Sequence, residues 1–268
     1  MRRLVHLSDL HFGRDRPELL EPLLATVNGL APDVIAISGD LTQRARRRQF
    51  RDARDFVERL RAPCLIVPGN HDVPLDRPLT RLLNPFGRYR EAFGAELEPE
   101  YRDEEMIVVG VNSVNPLAWQ RGRFARHALR RTRRALASVP ASLHRVVVLH
   151  HPLEHRPDEP KRLTRGATRA VDALAAAGAD IILSGHLHSW RAEPFAKRDG
   201  RAGVVQVLAG TGLSTRVRGE ENDFNLITLG AAEITVERFV APEGHARFER
   251  AAVARFRDGA AGWTVPLP

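Results

Sequence analysis

Asp, His and Asn gather in five short segments of this 268-residue chain: SDLH with Asp9 and His11, SGD with Asp40, PGNHD with Asn70, His71 and Asp72, LHHP with His150 and His151, and SGHLH with His186 and His188. Imidazole and carboxylate groups are ligands of zinc, manganese and iron. A carboxylate can bridge two such ions, and two divalent ions about 3.5–4 Å apart form the hydrolytic clamp of many phosphatases and nucleases. The D-x-H and H-x-H spacings matter because side chains alternate along an extended chain, so residues two apart share a side. Burying this many polar groups without partners is costly, and shared cations would supply the partners. Such chemistry requires no Ser or Cys nucleophile, and the sequence offers no candidate for one.

Each segment follows a short apolar run, and those runs are the elements that must position it. The sequence predicts strands over 4–7, 34–38, 65–67, 106–111, 146–149 and 181–183. Helical periodicity falls between most of them, over about 17–30, 44–61, 123–138 and 164–177. Gly and Pro punctuate the ends, as at Gly178 after a run of alanines. The alternation implies βαβ units and a largely parallel sheet. Open α/β sheets bind ligands beyond the carboxyl ends of their strands, so five strand ends would converge on one site. After Val204 the runs VVQVLA, FNLITL, EITVERFV and ARFERAAVARF show little helical period and read as strands of a second, more antiparallel sheet. The segment 73–104 reads as irregular, with a short helix around 86–93. A loop that long in a compact domain is usually functional or mobile.

In this order, D-x-H, G-D, G-N-H-D, a strand-end His and G-H-x-H resemble the calcineurin-like metallophosphoesterase superfamily, over residues 9–188, about two thirds of the chain. The LSDLHFG start, GNHD, HHP and GHLH are together most similar to its bacterial class III cyclic-nucleotide phosphodiesterase branch, which also contains glycerophosphodiesterases. The resemblance implies an α/β fold, a four-layer αββα sandwich of two mixed β-sheets flanked by helices, as one domain over 1–268. It implies two divalent metal ions, Mn, Fe or Zn. Asp9, His11, Asp40 and His188 would hold one; Asp40, Asn70, His150 and His186 would hold the other, with Asp40 and a water or hydroxide bridging. His71 would contact the phosphate and stabilise the transition state or assist the leaving group, and Asp72 is placed to orient His71. In HHP the family pattern favours His150 as ligand, with His151 pointing the other way unless the strand ends one residue early. The implied reaction is in-line attack of the bridging hydroxide on a phosphodiester, a cyclic nucleotide or another small diester. Two alternatives remain: a nuclease of the same superfamily, and a scaffold that keeps the fold for protein binding. A degraded metal motif would mark the scaffold, and none of the five segments is degraded. The GDxxDRG block of protein serine/threonine phosphatases is replaced here by GDLTQRA, and the metal-binding Tyr of purple acid phosphatases is absent.

A chain of this length with 43% hydrophobic residues can bury a large core. No stretch is long and apolar enough to span a bilayer. The start MRRLVHLSDL lacks the apolar run of a signal peptide, and the single Cys64 reads as a buried small hydrophobe. These features lead to the expectation of a cytoplasmic enzyme. The net charge of +8 has two readings. One is an anionic partner such as nucleic acid. The other, preferred, is compositional, since Lys161 and Lys197 are the only lysines and the arginines spread along the chain. The run ARRRQFRDAR at 45–54 reads as a solvated helix face. A small phosphodiester is thus favoured over nucleic acid as partner; a homodimer is compatible with the family, though no stretch marks an interface. His6, His127, His144, His155 and His245 lack motif context and read as structural. Trp119, Trp190, Phe86 and Tyr89 lie in or near loops that could rim the site, with loop packing preferred over base stacking. Arg77, Arg81 and Arg88 are open between phosphate binding and surface solvation. The turn-rich segment 211–225, with Arg216 and Arg218, resembles a loop that reaches the active-site side in related phosphoesterases.

Overall fold

A computed structural model describes residues 1–118, 120–156, 158–195, 203–259 and 262–265. Two βαβαβ runs build most of it. In the first, β1 (Arg2–Leu7), α1 (Pro17–Gly29), β2 (Val34–Ile37), α2 (Arg47–Glu58) and β3 (Cys64–Ile66) yield three parallel strands. A 3-10 turn at Asn70–Asp72, then α3 (Pro78–Leu83), α4 (Gly87–Phe93) and β4 (Glu100–Arg102), lead to the second run. There β5 (Met106–Val111), α5 (Arg126–Ala137), β6 (His144–Leu149), α6 (Ala167–Ala175) and β7 (Ile181–Ser184) again place their strands parallel. The chain continues through β8 (Arg191–Pro194), β9 (Val205–Leu208), β10 (Asn222–Leu229), β11 (Glu233–Ala241) and β12 (Glu249–Arg257). Two six-stranded mixed sheets result, in the orders β12-β11-β10-β1-β2-β3 and β4-β5-β6-β7-β9-β8.

Strand alternation sorts the apolar side chains into three layers of core. Leu4, Val34 and Ala36 point between the sheets, where they meet Val108, Val146, Val148 and Leu183. Their neighbours Val5, Leu7, Ile35 and Ile37 point outward against α1 and α2 through Leu19, Leu23, Phe50 and Phe56. On the far side Ile107, Val109, Val147 and Ile182 meet Leu129, Leu136 and Leu174 of α5 and α6. A strand buried on both faces needs apolar residues at every position, which is why VIAI and VVVL carry no polar alternation. The order of layers is helix, sheet, sheet, helix. α1 opens with Pro17 at its first position, where a missing N–H is harmless. It buries Leu19, Leu23, Leu24 and Val27 on one stripe.

The expected strands and helices appear close to their predicted ranges, with two corrections in their arrangement. The parallel strands do not form one core sheet: β1–β3 lie in one sheet and β5–β7 in the other. Nor does the chain after Val204 build a sheet of its own. β9 pairs in parallel with β7, whereas β10 pairs antiparallel with β1 (Leu4 opposite Ile227) and carries β11 and β12 with it. The cause is edge satisfaction: β2 covers only one side of β1, and β10 supplies hydrogen bonds to the other. Cys64 is partly buried rather than buried, because it is the first residue of β3. Among the described residues no helix is long and apolar enough to cross a membrane.

Candidate metal centre

The strands β1, β2, β6 and β7 stop just short of the candidate residues, and the chain then curls. Asp9 (φ 52°), His11 (φ 50°), Asp40 (φ 52°), His186 (φ 71°) and His188 (φ 58°) all adopt left-handed backbone conformations. Non-glycine residues pay steric strain there, and such strain persists where the surroundings impose it. The surroundings here are interlocked loops. The Asp9 and His11 amides donate to the carbonyls of Gly39 and Asp40, and the Gly185 amide to that of His150. The Asp9 carboxylate accepts from the His186 amide at 2.9 Å, and Asp40 from the His71 amide at 2.7 Å. Two glycines permit this approach. A Cβ on Gly185 would stand 1.8 Å from Ser8 Oγ and 2.3 Å from Asp9 Oδ2; one on Gly69 would stand 2.2 Å from Asp40 Oδ1.

The side chains converge nitrogen against oxygen. His188 Nδ1 donates to the Arg216 carbonyl and His150 Nδ1 to the Ser38 carbonyl, so each ring turns Nε2, the nitrogen left for a metal, inward. Those nitrogens face oxygens. His188 Nε2 lies 3.1 Å from Asp9 Oδ1, and His150 Nε2 lies 3.4 Å from Asp40 Oδ2 and 3.2 Å from Asn70 Oδ1. His11 Nε2 is 3.2 Å from His188 Nε2, 3.5 Å from Asp9 Oδ1 and 3.8 Å from Asp40 Oδ2. Asp9 Oδ1 is buried without a hydrogen-bond donor. Ligand atoms on one tetrahedral ion at roughly 2.0–2.1 Å stand about 3.3 Å apart, so these separations suit a cation. Metal-capable groupings are Asp9–His11–His188, Asp9–Asp40–His150 and His150–His151–His186. Asp40 Oδ2 faces both His11 and His150.

Charge compensation within the cluster follows the same geometry. Burial alone would raise both carboxyls, yet His188 and His11 hold Asp9, and His150 holds Asp40, well below the ordinary range. Burial disfavours a charged His150, but Asp40 overrides it and pushes the ring up to about 9. Burial keeps His186 and His151 well below the ordinary imidazole value.

His71 lines a cavity of about 440 Å³ that opens beside Asn70. Its Nδ1 donates to the Gln43 carbonyl at 2.9 Å, which leaves Nε2 3.1 Å from the guanidinium of Arg216. Burial lowers its pKa against the pull of Asp40. The expected contact from Asp72 to His71 is replaced by another role. The buried Asp72 carboxylate accepts from the amides of Gly69, Leu41 and Thr42 and from the Thr42 hydroxyl. It therefore ties the GNHD turn to the loop after β2, and acts on His71 only through Thr42, whose hydroxyl also lies 3.1 Å from the His71 carbonyl. Burial and the charge of Asp40 push the Asp72 carboxyl up to about 7.

His151 does not turn away. Its Nδ1 bonds Ser113 Oγ at 2.9 Å, its Nε2 is buried without a partner, and its ring centroid lies 4.6 Å from that of His186. β6 ends at Leu149, so strand alternation no longer separates His150 from His151. His6, which lacks motif context, takes a structural role in a hydrogen-bond chain that ends on Asp9. Ser38 Oγ donates to Ser8 Oγ at 2.8 Å and Ser8 Oγ to Asp9 Oδ2 at 2.6 Å, so His6 Nε2, 2.8 Å from Ser38 Oγ, must be the donor that starts the chain. Lys161 Nζ donates to the His186 carbonyl at 2.5 Å. The signal for His6 and Ser8 was present as polar residues two apart at the end of an otherwise apolar strand.

The rim candidates divide. Phe86 and Tyr89 are buried in the core, and Tyr89 donates to the Ile66 carbonyl. Trp190 donates to Asn225 beneath the Arg238 guanidinium; Trp119 lies outside the described residues. Arg81 and Arg88 spend their guanidinium groups on backbone carbonyls. Arg216 reaches the edge of the cluster, with its guanidinium 3.1 Å from His71 Nε2.

A family model, Calcineurin-like phosphoesterase, matches residues 2–190, which hold all five segments. The chain belongs to the calcineurin-like phosphoesterase family. It is 27% identical over 222 residues to a probable cyclic nucleotide phosphodiesterase of Rhodopseudomonas palustris, covering 76% of this chain and 79% of that protein. It is 34% identical over 80 residues to the glycerophosphodiester phosphodiesterase GpdQ of Enterobacter lignolyticus, covering 26% of this chain and only 29% of that protein. In fold it is similar to a purple acid phosphatase from yellow lupin, with a TM-score of 0.72 at 15% identity, over 95% of this chain and 53% of the lupin chain.

Proposed function

We propose that this protein is a dinuclear-metal-dependent phosphodiesterase that hydrolyses a small diester, with cyclic nucleotides as the leading class. One observation carries the reading: buried imidazole nitrogens face buried carboxylate and amide oxygens at 3.1–3.4 Å beside an open polar cavity. In their metal-binding, neutral form these rings set acceptors against acceptors, an arrangement that bound cations satisfy. Asp9, His11, Asp40 and His188 would hold one ion, and Asp40, Asn70, His150 and His186 the other. When bound, the pair supplies an activated water and neutralises charge on the phosphate oxygens.

The chain's own groups account for the remaining steps. The Asn70 carboxamide and the Asp40 carboxylate stay oriented because the GNHD turn is tied down through Asp72. Arg216, with a guanidinium at the cavity edge, is the donor available to a non-bridging phosphate oxygen. His71 Nε2 faces the same space. An anionic phosphate arriving there favours the protonated ring, the form that can donate to a departing ester oxygen. The names of the relatives from Rhodopseudomonas and Enterobacter agree with diester chemistry.

The test is metal-stripped protein reloaded with Mn²⁺, Fe²⁺ or Zn²⁺, assayed on bis-p-nitrophenyl phosphate, p-nitrophenyl phosphate and 3′,5′- and 2′,3′-cyclic AMP. The expected result is diester cleavage that depends on added metal and is lost in Asn70→Ala. Two bound equivalents of metal with no turnover on any diester would refute the reading.

A further inference from the structure

The cavity beside the cluster is larger than a phosphodiester centre requires. Its volume of about 440 Å³ is within the range that holds a whole small ligand. Its lining is unusual in charge. Arg14, Arg44, Arg46 and Arg216 border it, Gln43, Gln49 and Gln120 supply amides, and no carboxylate takes part. Among the described residues no Asp or Glu forms an ion pair with Arg14, Arg44 or Arg46, whereas Arg216 lies in the field of Asp40 and Asp9. The contrast with the next turns is direct. On α2, Arg48 meets Asp52 and Arg54 meets Glu58 at helical spacing, and Arg47 meets Glu91. Those arginines form the solvated face that the sequence suggests; Arg44 and Arg46 do not belong to it.

The loop that presents them is held rigidly. Gln49 reaches back from the first turn of α2, and its Oε1 accepts from the amides of both Arg44 and Arg46. Between the two, buried Ala45 sits at φ 49°, a strained conformation for a residue with a Cβ. Thr42 Oγ1 accepts from the Ala45 amide, and Arg88 donates to its carbonyl. On the opposite wall, Thr215 is tied through its amide and hydroxyl to the Arg14 carbonyl, which joins the Arg216 loop to the loop after β1.

We propose that this cavity is a subsite for a second anionic group, a phosphate carried on one ester arm of the substrate. Arg14, Arg44 and Arg46 receive that phosphate, while Arg216 and His71 face the scissile one. The proposal rests on the phosphodiesterase reading of the adjacent cluster. It assigns the substrate to phosphorylated small diesters and disfavours arms that are neutral or cationic, because unpaired guanidinium groups repel the latter.

Equilibrium binding of thymidine 3′,5′-bisphosphate and thymidine 5′-monophosphate to the Mn²⁺-loaded protein tests the subsite without turnover. The bisphosphate should bind about tenfold tighter at low ionic strength, a modest return for charge-assisted contacts to exposed arginines, and the advantage should shrink in high salt. Arg44→Ala with Arg46→Ala should erase the advantage and leave monophosphate affinity in place. Both side chains are exposed and form no hydrogen bond or ion pair among the described residues, so the fold should survive; Arg44→Gln with Arg46→Gln serves as a second variant. Equal affinities in the unaltered protein, or an advantage that survives both double variants, would overturn the subsite. So would tighter binding of single-stranded DNA than of the bisphosphate. Hydrolysis of the matching p-nitrophenyl esters separates the two readings. A binding preference without hydrolysis upholds the subsite and removes the activity; hydrolysis of both esters at equal KM upholds the activity and removes the subsite.

Discussion

His6 should make the protein's stability fall steeply in mild acid. The ring is fully buried, its Nε2–H is committed to Ser38, and its Nδ1 has no partner. A second proton would sit on Nδ1 with nothing to receive it. Burial pushes the ring down from 6.5 to about 3, only weakly opposed by the charge of Asp9. For a histidine depressed in the folded state, the stabilisation is complete above the unfolded value and is lost as pH falls from about 6.5 toward about 3. The full gap corresponds to about 5 kcal/mol, an upper bound, and the part already lost at pH 5 to about 2 kcal/mol. Other histidines titrate in the same window, so the measurement must be a difference. His6→Gln keeps an amide donor toward Ser38 and does not titrate. Urea denaturation of the metal-loaded protein and of this variant, from neutral pH to pH 5, should show the unaltered protein losing about 2 kcal/mol more than the variant. Stability–pH curves that run parallel would refute the argument, because they would mean that His6 charges without cost in the fold.

The other predictions concern the cluster itself. Metal binding near neutral pH should release about one proton, since Asp40 holds His150 protonated up to about 9 and a ligand nitrogen must be neutral; calorimetry in buffers of different ionisation enthalpy reads this, and buffer-independent heats would contradict it. Gly185→Ala forces a Cβ into Ser8 and Asp9, and should lower metal stoichiometry while the far-ultraviolet circular dichroism stays unchanged. Asp72→Asn turns an amide toward backbone donors that now face a carboxylate. It should cost about 2–4 kcal/mol in denaturant titrations, because buried donors are left unpaired. Arg216→Ala should reduce kcat/KM on a diester by about 10–100-fold through loss of a charge-assisted contact, with Arg216→Lys recovering part of it.

Much of this arrangement is legible in the sequence, but the spacing argument rests on the wrong geometry. Alternation along an extended strand would put the members of each D-x-H and H-x-H pair on one side. Yet β1 ends at Leu7 and β7 at Ser184, and all four residues lie beyond those ends at positive φ. Left-handed residues curl the chain around a point, and that curl, not the pleat, brings Asp9 and His11 within 3.5 Å. His151 follows the exception: alternation would turn it away, and a strand that ends at Leu149 does not. The βαβ runs were legible because burial on both faces leaves long apolar signatures that need no partner to be recognised. Sheet membership was not, because the pairing of Leu4 with Ile227 joins residues far apart in the chain and leaves no local mark. The arginines show the limit most clearly. Arg48 and Asp52 sit four apart on a helix, so their pairing is written in the spacing; Arg44 and Arg46 are turned into the cavity by Gln49 and a strained Ala45. A basic composition therefore says little about anion binding until the carboxylates that neutralise each arginine have been found, and for Arg14, Arg44 and Arg46 the described residues supply no ion-pair partner.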